Sequence, residues 1–183
     1  EQWLPKQESP PRVPSSQPDD AEIGFPEDDP AFDVQAALAR LGQKRALYRQ
    51  LLIQFADEHR NRLRDLEDAI GHGSSDEAGR ILHTLKGGAR MAEIRAIGDL
   101  AHELESLYEG LVDRRFSYSP ALAGLLQQSH DRLAQMLDQL QARQTLASAD
   151  ELILAIRQFR HGGAPHSLSA AFAHVEPEPE SPL

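Results

Sequence analysis

The sequence predicts an all-α protein built as an antiparallel bundle of helices. Two observations support this prediction. Between residues 31 and 160, apolar side chains recur with helical period, and no clear alternating strand pattern is found. The connections between the long amphipathic segments are short, which favours antiparallel neighbours. We also expect an extra short N-terminal helix, a further C-terminal helix and disordered tails. At 183 residues, the chain is long enough for one domain with a substantial core.

Three helices are predicted in the first half of this region. Asp33 is expected to cap a short first helix, which ends at Gly42. A long second helix follows at about 44–70. Its inward apolar stripe consists of Tyr48, Leu51, Leu52, Phe55, His59, Leu63, Leu66 and Ile70. Ser74 and Glu77 form a capping-box pattern, which predicts the start of a third helix.

Three more helices are predicted in the second half. The fourth spans about 94–113 and repeats leucine and isoleucine at helical spacing. Ser119 followed by Pro120 is typical of a helix N-cap with proline in the first turn, and it predicts the start of the fifth helix. A shorter sixth helix is expected from Ser148 through Phe159. The pattern leaves open whether this helix packs on the bundle or begins a linker.

The two ends of the chain differ from its middle in composition. Residues 1–30 contain seven of the twelve prolines, with eight acids against two bases, and residues 162–183 contain a Glu-Pro repeat. We therefore expect the chain to be a piece excised from a longer protein. The predicted organisation is an acidic proline-rich linker at 1–30, a helical bundle at 31–145, an additional helix at 146–161 and a Pro/Glu-rich linker at 162–183.

Composition excludes several classes of protein. The absence of cysteine excludes disulfides and thiolate metal sites and suits a reducing compartment. No apolar run approaches the length of a membrane span, and the net charge of −10 argues against binding to nucleic acid.

The most informative local feature is the run His83-Thr84-Leu85-Lys86-Gly87-Gly88-Ala89-Arg90. The helical wheel places His83 and Gly87 outward, opposite the apolar stripe. Because a helical glycine costs about 1 kcal/mol relative to alanine, the glycine pair indicates that something bulky approaches the helix here. Lys86 and Arg90 are expected to be exposed cations beside His83. A neutral imidazole nitrogen with cations nearby is suited to accept a phosphoryl group.

A second element lies in the fourth helix, where His102 and Glu105 flank the apolar stripe. If the third and fourth helices are neighbours, a carboxylate here can accept a hydrogen bond from one nitrogen of His83. That bond would fix the tautomer and leave the other nitrogen, Nε2, to attack. Taken alone, the pair is also an ordinary polar pair on a helix. The remaining histidines are interpreted as plain surface residues: His59, His72, His130, His161, His166 and His174.

The sequence His83-Thr84-Leu85-Lys86-Gly87 resembles the phospho-acceptor motif of histidine phosphotransfer (HPt) domains, and the resemblance covers roughly residues 31–141. A histidine nineteen residues and a glutamate twenty-two residues after the acceptor are similar to the chemotaxis-kinase type, which matches His83, Lys86, His102 and Glu105 to its four site residues. The run from Ala89 to Leu107 also resembles HPt modules of kinases that govern type IV pilus motility.

The resemblance implies an antiparallel four-helix bundle with the acceptor exposed in mid-helix. It also implies phosphoryl transfer between the ATP-binding domain of a histidine kinase and an aspartate of a response-regulator receiver domain. We expect a cytoplasmic module without a cofactor or metal of its own, with Gly87 and Arg90 on the partner-binding surface. No nucleotide-binding loop is found, so the segment is expected to be a relay and not a kinase. In one respect the sequence departs from the family: many HPt domains have a glycine about ten residues after the acceptor, and here Glu93 occupies that position.

Two alternatives come from other functional classes. A degenerate HPt fold could serve only for docking or dimerisation, although the chain retains all four site residues. A metal-binding helical bundle would need paired Glu-x-x-His motifs with further inward glutamates, and the chain has one His102-x-x-Glu105 in the reverse order.

Overall fold

The computed structural model describes residues 29–162. Within this range the protein is all-helical, as predicted, and it contains no strand. The tails predicted to be disordered lie almost entirely outside the described residues. The helices are α1 (Val34–Arg40), α2 (Arg45–Gly71), α3 (Ser75–Met91), α4 (Arg95–Val112), α5 (Pro120–Gln141) and α6 (Asp150–Arg160). No helix within 29–162 is long and apolar enough to cross a membrane.

Helices α2 to α5 form the four-helix bundle. Each packs against the next along the chain, and α5 closes the ring by packing against α2. The pairing is antiparallel at the α2–α5 seam, where Arg60 pairs with Asp138 and the Gln141 amide donates to Asp57 at 2.8 Å. Leucines that recur with helical period fill the core. Deeply buried examples are Leu52, Leu66, Leu82, Leu85, Leu100, Leu104, Leu107 and Leu122.

Two helix starts follow the sequence prediction, and two differ from it. The side chains of Asp33 and Ser119 accept backbone N–H bonds at the starts of α1 and α5. Ser74 is the N-cap of α3, but its side chain accepts no capping bond, so the predicted capping box does not form. The N-cap of α6 is Ala149 and not Ser148, whose hydroxyl instead accepts from the N–H of Asp150 at 3.2 Å.

The turn between α3 and α4 falls at the position where the family often has glycine. Glu93 adopts the left-handed conformation there, with φ of +56°, and the N–H of Ile94 donates to the carbonyl of Ala89 at 2.8 Å. Such a conformation is strained for a residue with a Cβ. Arg40 forms an ion pair with Glu93 at 2.9 Å, and the Tyr48 hydroxyl donates to the carbonyl of the C-cap residue at 2.9 Å. Contacts from α1 and α2 therefore stabilise a helix break that the local sequence does not indicate.

Helix α6 packs on the bundle, which decides the question that the sequence left open. It lies against α4 and α5, and its Arg157 and Arg160 form ion pairs with Glu103 of α4. The chain before α1 is also part of this packing. Asp29 is buried and accepts bonds from the N–H groups of Ala31 and Leu146. The packed unit thus includes Asp29, although the sequence predicts a linker over residues 1–30.

Candidate functional site

His83 stands on the outer surface of α3, near the middle of the helix. Its side chain is 70% exposed, whereas Leu82 and Leu85 on either side are buried in the core. Gly87 lies one turn further along the same surface, and a Cβ added there would have no atom within 4 Å. The imidazole therefore has open space beside it along the helix.

Glu105 of α4 reaches across to α3 and contacts two of its side chains. Its Oε1 lies 2.6 Å from Nδ1 of His83, and its Oε2 accepts from Nζ of Lys86 at 2.5 Å. A carboxylate can only accept, so Nδ1 of a neutral His83 has the proton and Nε2 has the free lone pair. The more reactive nitrogen is thus the one that faces away from Glu105.

The side chain of Glu105 is only 7% exposed, yet its carboxyl group remains ionised at neutral pH. Burial would raise the pKa of Glu105, but hydrogen bonds from Lys86 and His83 and the nearby charge of Lys86 outweigh burial and lower the pKa below its usual value. Lys86 itself is 15% exposed. The expectation that Lys86 is an exposed, solvent-screened cation is therefore wrong, because its amine is held against the carboxylate.

His102 and Arg90 lie at the margins of this arrangement. Nδ1 of His102 is 3.9 Å from Oε2 of Glu105, beyond hydrogen-bond distance, and its side chain is 46% exposed. Arg90 is exposed, and its side-chain stem passes over Gly98 of α4. The structure thus brings His83, Lys86 and Glu105 into direct contact, with His102 close to the same carboxylate.

The two adjacent glycines have different surroundings. A Cβ on Gly88 would lie 2.8 Å from Nε2 of His59 and 3.1 Å from the ring of Phe55, both on α2. Gly88 is therefore needed for the close packing of α2 on α3, and only Gly87 leaves the surface beside His83 open. His59 is 4% exposed, so its interpretation as a surface residue is wrong. Burial lowers the pKa of His59, which keeps the ring neutral.

His130 is also not a plain surface residue. It is partly buried on α5, with Nε2 3.2 Å from the Tyr108 hydroxyl and the two rings stacked at 6.0 Å. Burial lowers the pKa of His130 to about 4. His72 and His161 are exposed, as expected, and His166 and His174 lie outside the described residues.

Two grooves of different character flank His83. The groove between α2 and α3, about 570 Å³ in volume, is largely apolar and is lined by Leu51, Phe55 and Met91 together with both glycines. Leu51 and Met91 are 37% and 78% exposed, so Leu51 does not point into the core as the helical stripe predicted. The groove between α3 and α4, about 430 Å³, is lined by several carboxylates: Asp76, Glu105, Glu109 and Asp113. His83 thus stands on a ridge with an apolar side and an acidic side.

Comparison with known proteins agrees with this geometry. The family model described as "Hpt domain" matches residues 50–143, slightly more than half of the chain. The chain belongs to the Hpt domain family. The matched range covers most of α2 and the whole of α3, α4 and α5, with His83 and Glu105, but not α1 or α6.

One relative of this Hpt domain is the chemotaxis protein CheA of Cereibacter sphaeroides, which is 32% identical over 89 residues. The aligned part is 46% of this chain and 13% of CheA, so the chain spans a small part of that protein's length. No solved structure matches the chain. Within residues 29–162, no group of three or more histidine, aspartate or glutamate side chains is arranged to hold a metal ion.

Proposed function

We propose that this chain is a phosphorelay module in which His83 accepts a phosphoryl group on Nε2 and passes it to an aspartate of a response-regulator receiver domain. The kinase ATP-binding domain that the family resemblance implies is the proposed donor. The observation that supports the proposal most is the hydrogen bond from Nδ1 of His83 to Glu105 at 2.6 Å, because it leaves Nε2 unprotonated and exposed.

The transfer step balances with the groups present. The lone pair of Nε2 attacks phosphorus, the N–P bond forms, and the bond from phosphorus to the donor oxygen breaks with its electrons left on that oxygen. The ring then holds Nδ1–H and Nε2–P and has gained positive charge, which the ionised Glu105 stabilises at 2.6 Å. When the phosphoryl group moves to a receiver aspartate, the N–P bond breaks and the lone pair returns to Nε2.

Lys86 has an indirect role in this proposal. Its amine is bound to Glu105 at 2.5 Å and does not extend over the exposed side of His83. Lys86 keeps Glu105 ionised and fixes its position, so that Oε1 is available for Nδ1. Replacing Lys86 is therefore expected to affect transfer through Glu105. His102, whose Nδ1 is 3.9 Å from Oε2, adds a further side chain near the same oxygen.

We infer that the receiver docks over the apolar groove between α2 and α3. This groove adjoins His83 and opens at Gly87, where no side chain blocks approach to the ring. The exposed Met91 and Leu51 offer apolar area at its edge, and methionine adapts well to different partner surfaces. Arg90, exposed on the same helix, is proposed to contact the partner.

The experiment that tests this function uses receiver domains from the source organism, each phosphorylated by labelled acetyl phosphate and mixed with the purified chain. At least one receiver should transfer acid-labile, alkali-stable label to the wild-type chain. His83→Gln should abolish the label, whereas His72→Gln, which removes another exposed helix-associated histidine, should not. If a receiver labels the His83→Gln variant as fully as the wild type, the assignment is wrong.

The alternative of a docking module without phosphotransfer makes the opposite prediction in the same experiment. It predicts that receivers bind the chain but that none transfers label, and that His83→Gln leaves binding unchanged. The type IV pilus subtype and a cytoplasmic location remain proposals that rest on the sequence resemblance. The joint retention of His83, Lys86, His102 and Glu105 favours the relay.

A further inference from the structure

Glu103 lies two residues before Glu105 on α4, and its carboxylate is buried. Its side chain is 4% exposed, with Oε1 2.7 Å from Nε of Arg157 and Oε2 2.9 Å from a terminal nitrogen of Arg160. Both arginines belong to α6. Two charged hydrogen bonds to one buried carboxylate form a strong and directional attachment between helices.

Glu103 and Glu105 project from opposite sides of α4. Two residues correspond to about 200° of rotation around a helix. Glu105 accordingly contacts α3, through His83 and Lys86, whereas Glu103 contacts α6. Within the described residues, α3 and α6 do not pack against each other. Helix α4 is therefore held between them, with one carboxylate bound on each side.

This arrangement links the rotation of α4 to the hydrogen bond on His83. A side-chain oxygen about 6 Å from the helix axis moves about 1 Å when the helix turns by about 10°. The bond from Nδ1 of His83 to Glu105 is 2.6 Å long, so a displacement of this size is enough to lengthen it beyond hydrogen-bond distance. A rotation that large would also separate Glu103 from the two arginines.

We infer that Glu103 is a positioning residue for the acceptor: its ion pairs with Arg157 and Arg160 hold α4 at the rotation that keeps Glu105 on Nδ1 of His83. The expected effect on phosphotransfer rests on the proposed function of His83. The expected effect on the tautomer of the His83 ring does not depend on that function. Helix α6 lies outside the family-matched range 50–143, so the family match does not cover this attachment.

The test compares Glu103→Gln, a nearly isosteric change, with the wild type in the full chain. The ¹⁵N chemical shifts of labelled histidine report which nitrogen of His83 has the proton. We expect the His83 ring of Glu103→Gln to move toward the Nε2–H tautomer, and the initial rate of phosphoryl uptake to fall three- to tenfold. Far-ultraviolet circular dichroism checks that the helices persist.

Arg157→Gln serves as a milder variant in case Glu103→Gln fails to fold, because it leaves Arg160 on the carboxylate. It should shift the tautomer in the same direction by a smaller amount. Arg60→Gln is the matched control, since it removes an exposed arginine–carboxylate pair between α2 and α5 without touching α4. It should leave the His83 tautomer unchanged.

The outcomes separate the two proposals. If folded Glu103→Gln and Arg157→Gln keep the wild-type tautomer, or if Arg60→Gln shifts it equally, the positioning role is refuted. If the wild-type chain takes no phosphoryl group from any receiver, the proposed function fails, while the tautomer measurement still decides the role of Glu103.

Discussion

The adjacent glycines of α3 should respond in opposite ways to the same substitution. At Gly87 a Cβ meets no atom within 4 Å, so Gly87→Ala gains the helix propensity of alanine, up to about 1 kcal/mol of stability. At Gly88 the new Cβ would lie 2.8 Å from Nε2 of His59 and 3.1 Å from Phe55. Carbon atoms in good contact are about 3.5–4.0 Å apart, so α2 and α3 must separate or distort.

The magnitude at Gly88 follows from these opposing effects. Overpacking of this kind typically costs about 1–3 kcal/mol, and the same propensity gain of about 1 kcal/mol offsets part of it. The ring of His59 cannot easily move away, because it is 4% exposed and packs on Phe55 at a centroid distance of 4.2 Å. Gly88→Ala should therefore change stability by about 0–2 kcal/mol in the unfavourable direction.

Urea unfolding followed by circular dichroism measures both variants against the wild type. We expect the midpoint to rise for Gly87→Ala and to be unchanged or lower for Gly88→Ala, with the two variants about 1–3 kcal/mol apart. Equal stabilisation by both substitutions would refute the packing argument, and so would a larger loss at Gly87. A separate variant tests function: Gly87→Leu should block phosphotransfer from the receiver while leaving the circular dichroism spectrum of the chain unchanged.

Two further predictions concern stability. The folded-state pKa of His130 is about 4 against an ordinary value near 6.5, so the unfolded chain binds the proton more readily. The free energy of unfolding should therefore fall by up to about 3 kcal/mol as the pH drops from about 6.5 to 4. His130→Gln should reduce this loss when unfolding is measured across that pH range, and an unchanged pH profile would contradict the prediction. Arg143 has φ of +57° and is exposed, so Arg143→Gly should raise the free energy of unfolding by about 1 kcal/mol, whereas Arg143→Lys should leave it unchanged.

The fold was predictable because its determinants are local. Helical periodicity located the six helices of residues 29–162, and Asp33 and Ser119 act as the expected caps. The acceptor region was predictable for the same reason, since a helical wheel is enough to place His83 outward and Leu82 and Leu85 inward.

What the sequence did not predict depends on contacts between distant segments. In the sequence, nothing distinguishes Glu103 from a surface glutamate. Its partners Arg157 and Arg160 lie on α6, more than fifty residues further along the chain. The break at Glu93 lacks a glycine signal because Arg40 and Tyr48 stabilise it from elsewhere in the chain. His59 did have a signal, since it occupies the apolar stripe of α2, but a single histidine on a helix is more often a surface residue, so this position alone does not predict its burial.

The central claim is that Nε2 of His83 accepts the phosphoryl group because Glu105 holds the proton on Nδ1. The most direct measurement is NMR of ¹⁵N-histidine-labelled chain treated with phosphoramidate, which identifies the first ring nitrogen to be phosphorylated. The account predicts that the phosphoryl group appears first on Nε2 of His83, and that Glu105→Gln slows this and weakens the preference for Nε2. First phosphorylation on Nδ1 of His83, or on His102 in the wild-type chain, would contradict it.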